Sequence, residues 1–228
     1  MALARWKDLC VDAGDAARTA RFWGPVLGLG AETQDDGDVV LRGDRPERTV
    51  WITPVPETKS AKNRVHLDLV LPSYAPLIEA GAHVLEDHET SRYRWTVLGD
   101  PDGNELCVFP GDRDEPTALV VDAQDEVGAA AWWAEVLDAR PTEGPDGRLR
   151  WLADVPGLPW DVWKFVAVRD RKAVKNRWHW DVVCPDADAL VAHGATVLRE
   201  PDDEVDWHVL SDPEGNEFCA FLPAEPTP

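Results

Sequence analysis

Apolar residues recur along this chain with two periods, and the alternation of those periods itself repeats. Leu9 to Asp12 is a short β-rich run. Ala16, Ala20, Trp23 and Leu27 then fall at helical spacing on one face, with Asp15 placed to cap the helix and Gly28 and Gly30 to stop it. Strands are expected around Asp38 to Arg42, Thr49 to Thr53 and Val65 to Leu71, followed by a short helix from Ser73 to Ala80. Three further strands are expected near His83 to Glu86, Tyr93 to Leu98 and Glu105 to Phe109. The unit is strand, helix and three strands, used twice in the first half.

The second half repeats the first. Leu9-Cys10-Val11-Asp12-Ala13 aligns with Leu119-Val120-Val121-Asp122-Ala123, and Phe22-Trp23 with Trp132-Trp133. Lys62-Asn63-Arg64-Val65-His66-Leu67-Asp68 aligns with Lys175-Asn176-Arg177-Trp178-His179-Trp180-Asp181. Asp100-Pro101-Asp102-Gly103-Asn104-Glu105 returns as Asp212-Pro213-Glu214-Gly215-Asn216-Glu217. The offset stays within a few residues of 112, which marks a tandem duplication with domains over 1–112 and 117–228.

Each Asp-Pro motif is a tight turn that leaves as a strand, with Gly at the position that needs φ > 0. Alternation then puts Glu105, Cys107 and Phe109 on one strand face, and Glu217, Cys219 and Phe221 on the equivalent one. His66 and Asp68 share a face in the same way, as do His179 and Asp181. Imidazole can ligate a metal while a carboxylate orients it, so these groups form a reasonable metal or acid–base set. The plainer alternative is that His and Asp hydrogen-bond to the hairpin and hold the sheet.

Composition narrows the partners. A formal charge of −20 over 228 residues repels phosphate backbones and anionic lipid, so neither nucleic acid nor membrane is expected as a partner. No basic stretch followed by an apolar core opens the chain, and a cytoplasmic location is expected. The four cysteines form no close pair. Cys107 and Cys219 occupy equivalent places in the two copies, which favours two separate buried thiols over a disulfide.

The order of these motifs, seen twice, resembles the glyoxalase, bleomycin-resistance and extradiol dioxygenase superfamily, also called vicinal oxygen chelate proteins. The resemblance implies an α+β fold of two tandem glyoxalase-like domains, each of two βαβββ units forming a cupped mixed sheet with helices outside. It implies a small-molecule ligand and a monomer that acts as a pseudo-dimer, or a homodimer. Metal-dependent members place ligands on the first and last strand of each unit, which carries over to His66 with Glu105 and His179 with Glu217. The first-unit positions fall on Asp8 in one half and Ala118 in the other, and on Ile52 or Thr53 and Lys164 or Phe165. A site shared between halves, Asp8 facing His179 and Glu217, is a further arrangement the resemblance allows.

Two functions follow from it. One is a lyase or isomerase of glyoxalase type, in which zinc, nickel, manganese or iron holds two neighbouring substrate oxygens and Glu105 or Glu217 moves the proton. The other needs no metal: sequestration of an aromatic or cationic metabolite, as in bleomycin resistance. Twelve tryptophans support the second. Trp51, Trp95, Trp163 and Trp207 are expected to line the cups beside Asp68, Asp181, Cys107 and Cys219, while Trp23, Trp133, Trp178 and Trp180 are expected to fill the layer between helices and sheet.

Overall fold

The computed structural model describes residues 2–113 and 115–223. The first half runs β1 (Arg5–Ala13), α1 (Ala16–Leu27), β2 (Gly30–Thr33), β3 (Val39–Arg42) and β4 (Thr49–Pro54). It continues as β5 (Val65–Leu71), α2 (Ala75–Glu79), β6 (His83–Glu86), β7 (Thr96–Gly99) and β8 (Glu105–Pro110). The second half repeats the series as β9 (Glu115–Ala123), α3 (Glu126–Leu137), β10 (Arg140–Glu143), β11 (Leu149–Ala153) and β12 (Val162–Ala167). It closes with β13 (Trp178–Val183), α4 (Ala187–Ala192), β14 (Thr196–Arg199), β15 (His208–Ser211) and β16 (Glu217–Phe221).

Local chemistry accounts for the helix limits. Asp15 accepts a hydrogen bond from the Arg18 N–H at 2.9 Å, and Gly28 ends α1 at φ 65°. Asp125 caps α3 in the same way, accepting from the Gly128 N–H. Its far end is Asp138 at φ 55°, one of the few residue types that tolerates the left-handed region without being glycine.

Two eight-stranded mixed sheets result, and each takes one unit from each half. The first has the order β14-β15-β16-β13-β1-β4-β3-β2 and the second β10-β11-β12-β9-β5-β8-β7-β6. The seam of each sheet is an antiparallel pair between halves, β1 with β13 and β5 with β9. The arrangement shared between halves, one of those the sequence allowed, is therefore how both sheets are built. The segments 55–64 and 168–177 are the connectors that carry the chain from one sheet to the other.

Tryptophan fills the layer between helices and sheets. Trp23, Trp133, Trp178 and Trp180 are all essentially inaccessible, as expected. Trp133 stands edge-on to Trp180 at 5.2 Å, and Trp23 edge-on to Trp178 at 5.0 Å. Trp163 departs from expectation. It is fully buried, 5.1 Å from Trp133 and 4.9 Å from Trp180, and so belongs to this layer rather than to a cup wall. Lys164, its neighbour on β12, takes the cup side instead. Among the described residues no helix is long and apolar enough to cross a membrane.

Candidate functional site

The two repeated motifs meet as a buckle. Asp100 is fully buried, and its carboxylate accepts hydrogen bonds from the backbone N–H groups of Asp102 and Asn104, the Asn104 amide and the Trp23 indole, the last at 2.9 Å. The Asn63 side-chain amide in turn donates to Asn104 Oδ1 at 2.9 Å. Glu105 completes the assembly. One of its oxygens accepts from Lys59 Nζ at 2.7 Å and the other from the Asn63 N–H at 3.0 Å. The second half repeats every link through Trp133, Asp212, Asn216, Asn176, Lys172 and Glu217.

Both glutamates thus spend both oxygens on the connector that enters the His-x-Asp strand. Neither belongs to the groups of donors that lie close enough together to share an ion. Those groups are His66, Asp68 and Cys107 in one sheet, and Cys10, His179 and Asp181 in the other, with ligating atoms within 4.8 Å of one another. Cys10 had no assigned role from sequence. The signal was its place two residues from Asp8 on one strand, which gives both side chains the same face.

Equivalent groups sit in different surroundings. On the β1–β13 seam Asp8 is opposite Asp181 and Cys10 opposite His179. Asp8 also accepts from Lys7 at 2.7 Å and from the Trp51 indole at 3.2 Å. Burial and the facing Asp8 push Asp181 well above the usual carboxylate range. Burial, with the Lys175 ammonium nearby, depresses His179 to about 4, so its ring is neutral at pH 7.

On the β5–β9 seam Ala118 is opposite Asp68 and Val120 opposite His66. Lys164 Nζ lies 2.9 Å from one Asp68 oxygen and His66 Nε2 lies 3.6 Å from the other. Burial alone would depress His66, but Asp68 and the Cys107 sulfur 3.5 Å away outweigh it and lift the ring to about 10. Burial would also raise Asp68, and the two cations hold it below its ordinary value. A carboxylate faces a carboxylate in one cup, and two cations share one carboxylate in the other.

A cavity of about 1400 Å³ opens over the second arrangement. His66, Asp68, Glu105, Cys107 and Trp95 line it, together with Lys164 and both connectors. Tyr93, Trp95 and Phe109 form a three-ring stack along one wall, with centroid spacings of 4.7 Å and 5.1 Å. The lining includes none of Asp8, Cys10, Trp51, His179, Asp181, Trp207 or Cys219. Trp207 instead stacks on Phe221 at 5.1 Å, and Cys219 lies 3.6 Å from His179. The sequence singled out Lys164 only as occupying a ligand position, and Tyr93, Trp151 and Arg150 went unnoticed because loop and strand-edge aromatics and cations carry no pattern.

The donor sets can be tested against a divalent ion. In the β1–β13 cup, His179 is neutral and one buried oxygen each of Asp8 and Asp181 has no hydrogen-bond partner. Cys10, His179 and Asp181 there fit a metal, with Asp8 facing them across the seam. In the β5–β9 cup Ala118 and Val120 offer no ligand and the Lys164 ammonium already occupies one Asp68 oxygen, which leaves His66, Cys107 and the other Asp68 oxygen. That set is the poorer fit.

Two cross-paired βαβββ sheets with a polar cluster on the cupped face of each define a paired-cup α+β class of protein. The model of the glyoxalase-like domain matches residues 8–109 and again 118–221, and the chain belongs to that family. Among solved structures, glyoxalase I from Zea mays is similar with a TM-score of 0.63 at 13% identity, covering 95% of this chain and 92% of that one. A putative dioxygenase from Bacillus subtilis has a TM-score of 0.63 at 11% identity, over 98% and 86% of the two chains. The cppA protein from Streptococcus pneumoniae follows at 0.51 and 8%, over 96% and 100%. No curated protein matches the chain in sequence.

Proposed function

We propose that this protein binds a small organic molecule in the cavity of the β5–β9 cup, and does so without a metal in that cup. The observation that carries this reading is the 1400 Å³ cavity, which joins a three-ring stack to a buried polar cluster. Tyr93, Trp95 and Phe109 take the flat part of the ligand, while His66, Asp68 and Lys164 meet its polar part. Glu105 acts as a positioning residue, fixing the connector at the cavity mouth through Lys59 and Asn63. The two halves supply in one chain what two copies of a single half would supply, so the monomer is a pseudo-dimer.

Quenching of tryptophan fluorescence by a panel of aromatic compounds tests this. Saturable quenching that weakens in Trp95→Leu is expected. A flat response across the panel removes the reading.

A second reading has its own observation. The unpartnered buried oxygens of Asp8 and Asp181 beside neutral His179 suit a divalent ion in the β1–β13 cup. Such an ion would polarise a coordinated oxygen as a Lewis acid, the chemistry of a lyase or isomerase of glyoxalase type. Elemental analysis of protein purified without chelator, and thermal shifts with zinc, nickel, manganese and iron, decide it. Metal retained by the native chain and lost in Asp8→Ala supports the site; no metal and no shift with any ion excludes it.

A further inference from the structure

The cavity runs against the charge of the chain that surrounds it. Although the protein carries −20 overall, nine lysines and arginines line the cavity against seven acids. Most of those charges are already matched: Asp12 pairs with Lys175, Asp122 with Lys62 and Glu105 with Lys59, while Lys172, Arg177 and Arg150 pair with Glu217, Asp102 and Asp146 beside the lining. At the floor the imbalance persists, because Asp68 alone stands between Lys164 and His66.

Lys164 is the informative residue. Its side chain is 18% exposed, and its ammonium lies 5.5 Å from the Phe109 ring and 5.1 Å from the Trp151 ring. Aromatic faces hold a cation in place without neutralising it. Asp68 accepts from one ammonium N–H, and an ammonium has three to give. Asp68 is thus the one carboxylate shared by the Lys164 ammonium and the His66 ring, in a largely buried place. Uncompensated buried charge is costly, and an incoming anion relieves it. The opposite cup has no such demand, since Lys7 there contacts two carboxylates, Asp8 and Asp181.

We infer that the cavity takes an organic acid, its flat apolar body against Tyr93, Trp95 and Phe109 and its carboxylate on the Lys164 ammonium. This deepens the reading of the cavity as the ligand site and rests on it. It also sets the cavity against a cationic ligand, one of the two kinds the resemblance allowed. The stack and the ammonium are continuous, because Phe109 is both the inner ring of the stack and one of the two rings beside Lys164.

Three probes built on one ring system separate the possibilities: 2-naphthoate, the neutral 2-naphthamide and the cationic 2-naphthylmethylamine. Calorimetric titration of the full chain is expected to give naphthoate an affinity about tenfold or more above the other two, the worth of one charge-assisted hydrogen bond. Lys164→Met should erase that preference, Lys164→Arg should keep it, and Trp95→Leu should weaken all three probes. Equal binding of the three, a preference for the amine, or a naphthoate preference that survives Lys164→Met overturns the inference while the cavity reading stands. Absence of saturable binding by any probe up to millimolar concentration overturns both.

Discussion

Asp8 stands directly across the β1–β13 seam from Asp181, carboxylate against carboxylate. Ala118 holds the corresponding place opposite Asp68 on the other seam. A methyl group in place of a carboxylate, with Val120 for Cys10 and Lys164 for Trp51, separates the chemistry of the two cups. With Asp8 present, Asp181 is pushed towards its neutral form and draws less on His179; with Ala118, Asp68 stays charged and holds His66 as a cation.

The two histidines should therefore carry different charges at pH 7. Nitrogen-15 NMR of the imidazoles is expected to show His66 protonated, releasing its proton near pH 10, and His179 neutral until about pH 4. The consequences for stability have opposite placement. His66, raised above its unfolded value, contributes stability that is complete below about pH 6.5 and lost as pH rises through 10. His179, depressed, leaves the fold intact above about pH 6.5 and weakens it as pH falls towards 4. Two histidines titrating together near 6.5 would contradict the assignment.

Asp8→Asn removes one of the facing charges and keeps an oxygen for the Trp51 indole. It should leave stability at pH 7 unchanged or raise it by up to about 1 kcal/mol, since the charge that pushes Asp181 towards its neutral form is removed. Urea unfolding of both chains at pH 7 measures it. A loss above about 2 kcal/mol at pH 7 would mean that the Lys7 contact outweighs the repulsion.

Asp100→Ala strands two backbone N–H groups, the Asn104 amide and the Trp23 indole without an acceptor. A loss of about 3 kcal/mol or more in unfolding free energy is expected, and Asp212→Ala should behave alike. Trp23→Phe removes only one donor and should cost less than Asp100→Ala. Equal losses would place the energy in indole packing instead.

Glu105→Gln tests whether that carboxylate positions or reacts. The amide keeps an acceptor for the Asn63 N–H and loses the ion pair with Lys59, a part-buried contact worth about 1–2 kcal/mol. Faster amide exchange across residues 59–63 should accompany a modest fall in affinity for cavity ligands. Complete loss of binding with unchanged exchange would assign Glu105 to direct ligand contact.

Much of this fold can be read from the chain, for reasons visible in single residues. Asp15, Gly28 and the Gly103 turn act on backbone within a few residues of themselves, so their consequences are local and the strand–helix limits follow. Pairing between halves is not local. β1 and β9 have similar apolar patterns, as do β5 and β13, and nothing in alternation says which of them will share a seam. Trp163 shows another limit. Both faces of β12 carry apolar residues, Trp163 and Phe165 on one and Val162 and Val166 on the other, so parity alone could not choose the cup side. Lys164 is harder still, because a lysine in a strand ordinarily marks solvent, and only the Phe109 and Trp151 rings beside it reveal a held cation.

The exchange of units between the sheets has a consequence for how the protein holds together. Each sheet is sewn along its middle by strands from different halves, so the peptide link between β8 and β9 adds little to cohesion. A chain cleaved there should remain a single particle, its fragments separating only when both sheets unravel together. The halves are complementing fragments that happen to be covalently continuous.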